Sequence, residues 1–115
     1  MSHDQIITLK EWGADTDGAI KRMLDDEAFY LELIDAFMTN KDWEQLCQLI
    51  SAKKYREAFV VSHRIKGSCA DLSLTPLYKV MCELTDDLRG EVRPTLEENF
   101  KEASLLREAL MLALE

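Results

Sequence analysis

The sequence is poor in residues that break or staple a chain. Its 115 residues include four glycines and two prolines, with no alternating Val/Ile/Thr-rich run, no repeat and no low-complexity segment. Strand architectures and disordered linkers are thereby disfavoured, and helices should dominate. The three cysteines, Cys47, Cys69 and Cys82, are odd in number, far apart and set in apolar helical contexts. They read as buried free thiols rather than a disulfide framework. His3 and His63 are the only histidines, and nothing has zinc-ligand spacing, so no metal site is expected. No stretch approaches the roughly 20 apolar residues that cross a bilayer, and no N-terminal apolar run resembles a signal peptide. The expectation is a cytoplasmic protein with no membrane partner. Basic residues number 14 against 22 acidic ones, a net charge of −8, which argues against nucleic acid because phosphate neutralisation needs a basic footprint.

What is present is a globular balance of 47% hydrophobic and 31% charged residues in a length suited to one domain, residues 1–115. A short helix is expected over Asp15–Leu24. The next, capped by Asp25 or Asp26, carries Phe29, Tyr30, Leu33, Ile34 and Phe37, bends near Asn40–Asp42 and continues with Trp43, Leu46, Cys47 and Ile50 at helical spacing. A third helix covers about Lys54–Asp71. Thr75 then reads as an N-cap with Pro76 at the first helical position, opening a stripe of Leu77, Val80, Met81, Leu84 and Leu88 that Gly90 ends. Thr95 and Glu98 have capping-box spacing before Leu96, Phe100, Ala103, Leu106, Leu110 and Leu114. Four long helices with short connections imply an all-α fold, an antiparallel four-helix bundle over about 14–114 with a short additional N-terminal helix.

Charge is uneven along the chain. From Lys53 to Lys66, five basic residues (Lys53, Lys54, Arg56, Arg64, Lys66) accompany one acid, Glu57. His63 lies in this cationic stretch, with Lys66 three residues on and Gly67 four on. Glycine inside a helix costs roughly 1 kcal/mol relative to alanine, so something is expected to approach that surface closely. At roughly 100° per residue, Ala58, Val61, Ile65, Cys69 and Leu72 fall about 160–240° from His63, on the core side. Arg56, Phe59, Val60, Lys66, Gly67 and Ala70 fall within about 60° of it and should project outward with it. Gly67 and Ala70 remove bulk there, Phe59 and Val60 offer apolar contact, and Lys66 can reach an anion attached to the ring. Imidazole suits such a face, because near neutral pH much of it is uncharged and nucleophilic, and it can carry a covalent intermediate.

No phosphate-cradling glycine loop, nucleotide signature or paired carboxylate accompanies the histidine. Chemistry at His63 would therefore need a partner to supply a phosphoryl donor, a metal ion and transition-state stabilisation. That describes a carrier rather than an enzyme.

The run Ser62-His63-Arg64-Ile65-Lys66-Gly67-Ser68-Cys69-Ala70-Asp71-Leu72 closely resembles the signature of histidine-containing phosphotransfer domains, roughly A-H-x-[LI]-K-G-x-[AC]-x-x-[LV]-G. Ile20 to Tyr30 with Phe37, and downstream Leu77 and Cys82-Glu83-Leu84, are similar to the same family, so the resemblance covers about Ala14–Leu114. It implies a four-helix bundle whose exposed histidine takes a phosphoryl group from a receiver-domain aspartyl phosphate and returns it. On this resemblance His63 is the phosphoacceptor, Lys66 neutralises phosphate charge and Gly67 gives steric access, while Arg56, Phe59, Val60, Arg64 and Ala70 meet the partner. The partners implied are response-regulator receiver domains and a hybrid or sensor histidine kinase. The chain itself needs no cofactor, Mg²⁺ being expected on the receiver. Gln45 and Gln48 are helix-borne polar groups whose face the sequence leaves open. Two positions depart from the pattern. Ser62 replaces an alanine, and Ser73 stands at a glycine position, where a left-handed turn would cost of order 1 kcal/mol unless the turn differs.

Two other functions fit the same residues. One is the phosphoacceptor domain of a chemotaxis-type kinase, labelled from ATP by a separate catalytic domain, although 115 residues favour a free-standing carrier. The other is a module that docks a receiver or kinase without being phosphorylated, for which His63 and Lys66 would not be needed.

Overall fold

The computed structural model describes residues 2–115, and the chain is all-helical. Among the described residues seven helices follow in order: α1 (Ser2–Trp12), α2 (Thr16–Arg22), α3 (Glu27–Thr39), α4 (Asp42–Ser51), α5 (Tyr55–Asp71), α6 (Thr75–Asp87) and α7 (Leu96–Leu114). Helix α5 packs between α4 and α6, α6 also lies against α7, and α1 lies against α7, α3 and α2. Side chains join α4 to α7 as well: Trp43 stacks on Phe100 with ring centroids 5.7 Å apart, and the Arg107 guanidinium lies 5.5 Å from the Trp43 ring centroid. No helix among the described residues is long and apolar enough to cross a membrane.

The aspartate caps form as local chemistry dictates. Asp15 accepts the Gly18 N–H at 3.1 Å to start α2, and Asp26 accepts the Phe29 N–H at 3.0 Å to start α3. Asp25 does not cap, because it and Leu24 hold left-handed backbone (φ 64° and 57°), which also stops α2 short of Leu24. The expected bend at Asn40 is a full break: its backbone is extended (φ −71°, ψ 169°), and its side chain accepts the Asp42 N–H at 3.0 Å as α4 begins.

Other local expectations are corrected. Leu74, not Thr75, occupies the cap of α6, so Thr75 and Pro76 are its first two helical residues. Thr95 sits at the cap of α7 in helical backbone (φ −79°, ψ −1°), from which its hydroxyl cannot fold back onto the first turn. It donates to buried Asp87 Oδ1 at 2.6 Å instead, and no capping box with Glu98 forms. Phe29, assigned to a core stripe, is exposed. Helix α1 lies where no element was expected. It buries Ile6 and Leu9, and Trp12 Nε1 donates to the Leu106 carbonyl at 3.2 Å, so the packed body begins well before residue 14.

The end of α5 is a joint for four helices. Ser73 takes the left-handed conformation (φ 54°), its N–H donates to the Ala70 carbonyl and the Leu74 N–H to the Cys69 carbonyl, the paired bonds of a Schellman turn. The conformational cost on a non-glycine, about 1 kcal/mol, is offset by bonds from elsewhere. Arg22 of α2 donates to Ser73 Oγ at 2.8 Å and to the Asp71 carbonyl at 3.1 Å, and the Asp15 N–H donates to the Ser73 carbonyl. Tyr30 of α3, fully buried, donates its hydroxyl to the Leu72 carbonyl at 2.9 Å.

Burial, reinforced by the Asp15 carboxylate and opposed by Arg22, pushes the Tyr30 phenol up to about 12. The folded state thus disfavours the phenolate, which the unfolded chain forms near pH 10. The contribution is fully present below pH 10 and is lost as pH rises toward 12. Tyr30→Phe should lower stability by about 1 kcal/mol at pH 7 and flatten the fall between pH 10 and 12, as read from denaturant unfolding of both proteins across that range.

Candidate functional site

Helix α5 is buried along Ala58, Val61, Ser62, Ile65 and Cys69. These five positions recur at three- and four-residue spacing, so one side of the helix faces α4 and α6, and among the described residues no other helix packs extensively on the opposite side. His63 and Gly67 lie on that open side, both exposed, with Arg56, Ala70 and Val60, the last 56% exposed. Phe59 and Lys66 are half-buried. The face expected from the wheel is therefore open at Arg56, Val60, His63, Gly67 and Ala70, while Phe59 and Lys66, expected to project outward, are partly covered.

At its centre the His63 imidazole lies nearly parallel to the Phe59 ring, with centroids 6.2 Å apart and planes 13° from coincidence. The Arg89 guanidinium, from the connection after α6, sits 5.1 Å from the centroid of the same Phe59 ring. A Cβ built on Gly67 would meet nothing within 4 Å, so no neighbour among the described residues requires a glycine there. Among the described residues Lys66 forms no ion pair, whereas Arg64 is held sideways by Asp42 of α4, its Nε and Nη2 reaching the carboxylate at 3.0–3.2 Å. Gln45 Oε1 lies 3.5 Å from the same guanidinium, beside Asp42 on α4. Gln48 is exposed on α4.

Directly behind His63, the Ser62 hydroxyl meets the Thr85 hydroxyl of α6 at 2.7 Å, both side chains fully buried. The serine in place of an alanine is thus a paired polar group, matched from the neighbouring helix. Burial, with a smaller contribution from Cys82, pushes the Cys69 thiol up to about 12, which keeps it an inert core group. Cys47 and Cys82 are half-buried free thiols. Among the described residues no group of three or more His, Cys, Asp or Glu side chains is placed to hold a metal ion.

Three residues were missed by reading the sequence. Asp42 and Thr85 are ordinary helix residues whose partners lie more than 20 positions away, and no local pattern marks them. Arg89, next to Gly90 in a connection, carries no periodic signal either.

Gly67→Ala should leave the isolated protein folded and more stable by up to about 1 kcal/mol, because it adds helix propensity and meets no neighbour. Thermal unfolding checks this, and a lower melting temperature would show a contact at that face. Ser62→Ala should cost about 1–2 kcal/mol by stranding Thr85, and adding Thr85→Val should recover most of it. No family model, no curated protein and no solved structure matches this chain.

Proposed function

We propose that this chain is a cytoplasmic phosphorelay carrier of the histidine-containing phosphotransfer type, a four-helix bundle of α3–α4, α5, α6 and α7 to which α1 and α2 are added. The observation that carries the reading is the open face of α5. An exposed imidazole has on the next turn a lysine without an ion pair among the described residues, and a glycine whose missing side chain leaves space that none of the described residues fills. A solvated helix face has no reason to hold a glycine there, whereas a face that admits another protein's reactive group does.

In the proposed step a neutral His63 ring nitrogen attacks the phosphorus of an aspartyl phosphate on a receiver domain. The N–P bond forms as the P–O bond to the carboxylate breaks, and that electron pair leaves with the carboxylate. The other ring nitrogen keeps its proton, so the product is a phosphorylated imidazolium until that proton passes to solvent. The reverse step delivers the group to a second receiver. Lys66 supplies positive charge toward the phosphoryl oxygens, and Gly67 with Ala70 admits the receiver's loops. The receiver brings Mg²⁺, and the exposed Val60 with Arg56 forms part of the surface it meets. Arg64, drawn toward Asp42, lies at the edge of that surface.

Mixing the protein with a phosphorylated receiver and Mg²⁺ should produce acid-labile label that disappears with His63→Gln and forms roughly ten- to a hundredfold more slowly with Lys66→Ala. Absence of label on the native protein, or label that survives His63→Gln, contradicts the proposal.

A further inference from the structure

The His63 ring is exposed, and among the described residues no hydrogen bond to it forms. Nothing polar therefore fixes its plane. Direction nevertheless matters, because the lone pair of an imidazole nitrogen lies in the ring plane, and an in-line attack on phosphorus requires that plane to point along the breaking bond. Phe59 is four residues earlier on the same helix, the spacing that places two side chains one above the other. Its ring is nearly parallel to the imidazole at 6.2 Å between centroids, a strongly offset pair in the far part of the range over which aromatic rings attract. Phe59 is itself held: it is half-buried, and the Arg89 guanidinium lies 5.1 Å from its centroid. A small cleft is lined by Arg56, Phe59, Leu88, Arg89 and Gly90. Arg89 also lies 3.5 Å from the Asp86 carboxylate, an exposed pair one turn back.

We propose that Phe59 is a positioning residue for His63, with Arg89 as its support: the stack fixes the imidazole plane in place of a hydrogen bond. This assigns Phe59 an intramolecular role where a partner contact was expected, and it gives Arg89 a role through Phe59 rather than through the phosphoryl group. Its consequence for transfer rests on the phosphocarrier reading above, but the stack itself does not.

The test combines two readouts. In transfer from a phosphorylated receiver, followed against receiver concentration, Phe59→Leu should lower the maximal rate roughly fivefold while half-saturation stays within about twofold. Phe59→Tyr should restore the rate, and Arg89→Ala should lower it about twofold. A raised half-saturation with an unchanged maximal rate would make Phe59 a partner contact and overturn the proposal. The second readout uses histidine-selectively labelled protein with no receiver present. The His63 ring-proton resonances should move with Phe59→Leu and return with Phe59→Tyr, and resonances that stay put in folded Phe59→Leu also overturn it. A native protein that never takes label, yet shows these ring shifts, removes the phosphocarrier reading and leaves the stack standing.

Discussion

Helix α5 must be buried on one side and bare on the other, and most of the structure follows from that division. Val61 and Ile65 bury side chains worth about 1.5–3 kcal/mol each, and the small Ala58, Ser62 and Cys69 let α4 and α6 come close. That burial outweighs the roughly 1 kcal/mol that Gly67 costs the helix. The poor helix former is tolerated because packing, rather than propensity, holds α5 together. Fixing the buried stripe also fixes His63 on the opposite side, so the site is a consequence of core packing.

The far end of α5 shows how few glycines this chain uses for turning. Ser73, Lys53 and Leu24 each take left-handed backbone after a helix, a place glycine usually fills. At Ser73 the compensation is visible: the Arg22 guanidinium binds the turn's hydroxyl and a carbonyl, and Tyr30 binds another. A bond from a charged donor is worth about 1.5–3 kcal/mol, enough to offset the strained residue. The same joint sets where α6 starts, and the length of α6 then carries Arg89 to the neighbourhood of Phe59.

The parts legible in the sequence were those set by local periodicity. The limits of α5, its buried stripe, the outward face of His63, and the apolar stripe of α6 were readable because three- and four-residue spacing states them directly. Features set by residues far apart in the chain were not. Helix α1 was missed because Ile6 and Leu9 make only a thin stripe whose partners lie on α3 and α7. The Thr95 capping box failed because Asp87, eight residues back, takes the hydroxyl. Ser62 looked like a departure from a pattern until Thr85 appeared opposite it. Within the site, Arg64 was expected to meet the partner, while Asp42 on α4 decides where it points.

The site is a small cationic island on an acidic protein, with Lys66 in no ion pair among the described residues and Arg64 and Arg89 each engaged by a carboxylate. On the proposed reading, the open imidazole carries the phosphoryl anion. The most direct measurement is nitrogen-detected NMR of protein labelled with ¹⁵N in its two histidines, recorded before and after exposure to a phosphorylated receiver with Mg²⁺. A phosphorus–nitrogen coupling should appear on His63 and leave His3 unchanged. Phosphorus on His3 or on an oxygen, or no coupling at either histidine, would contradict it.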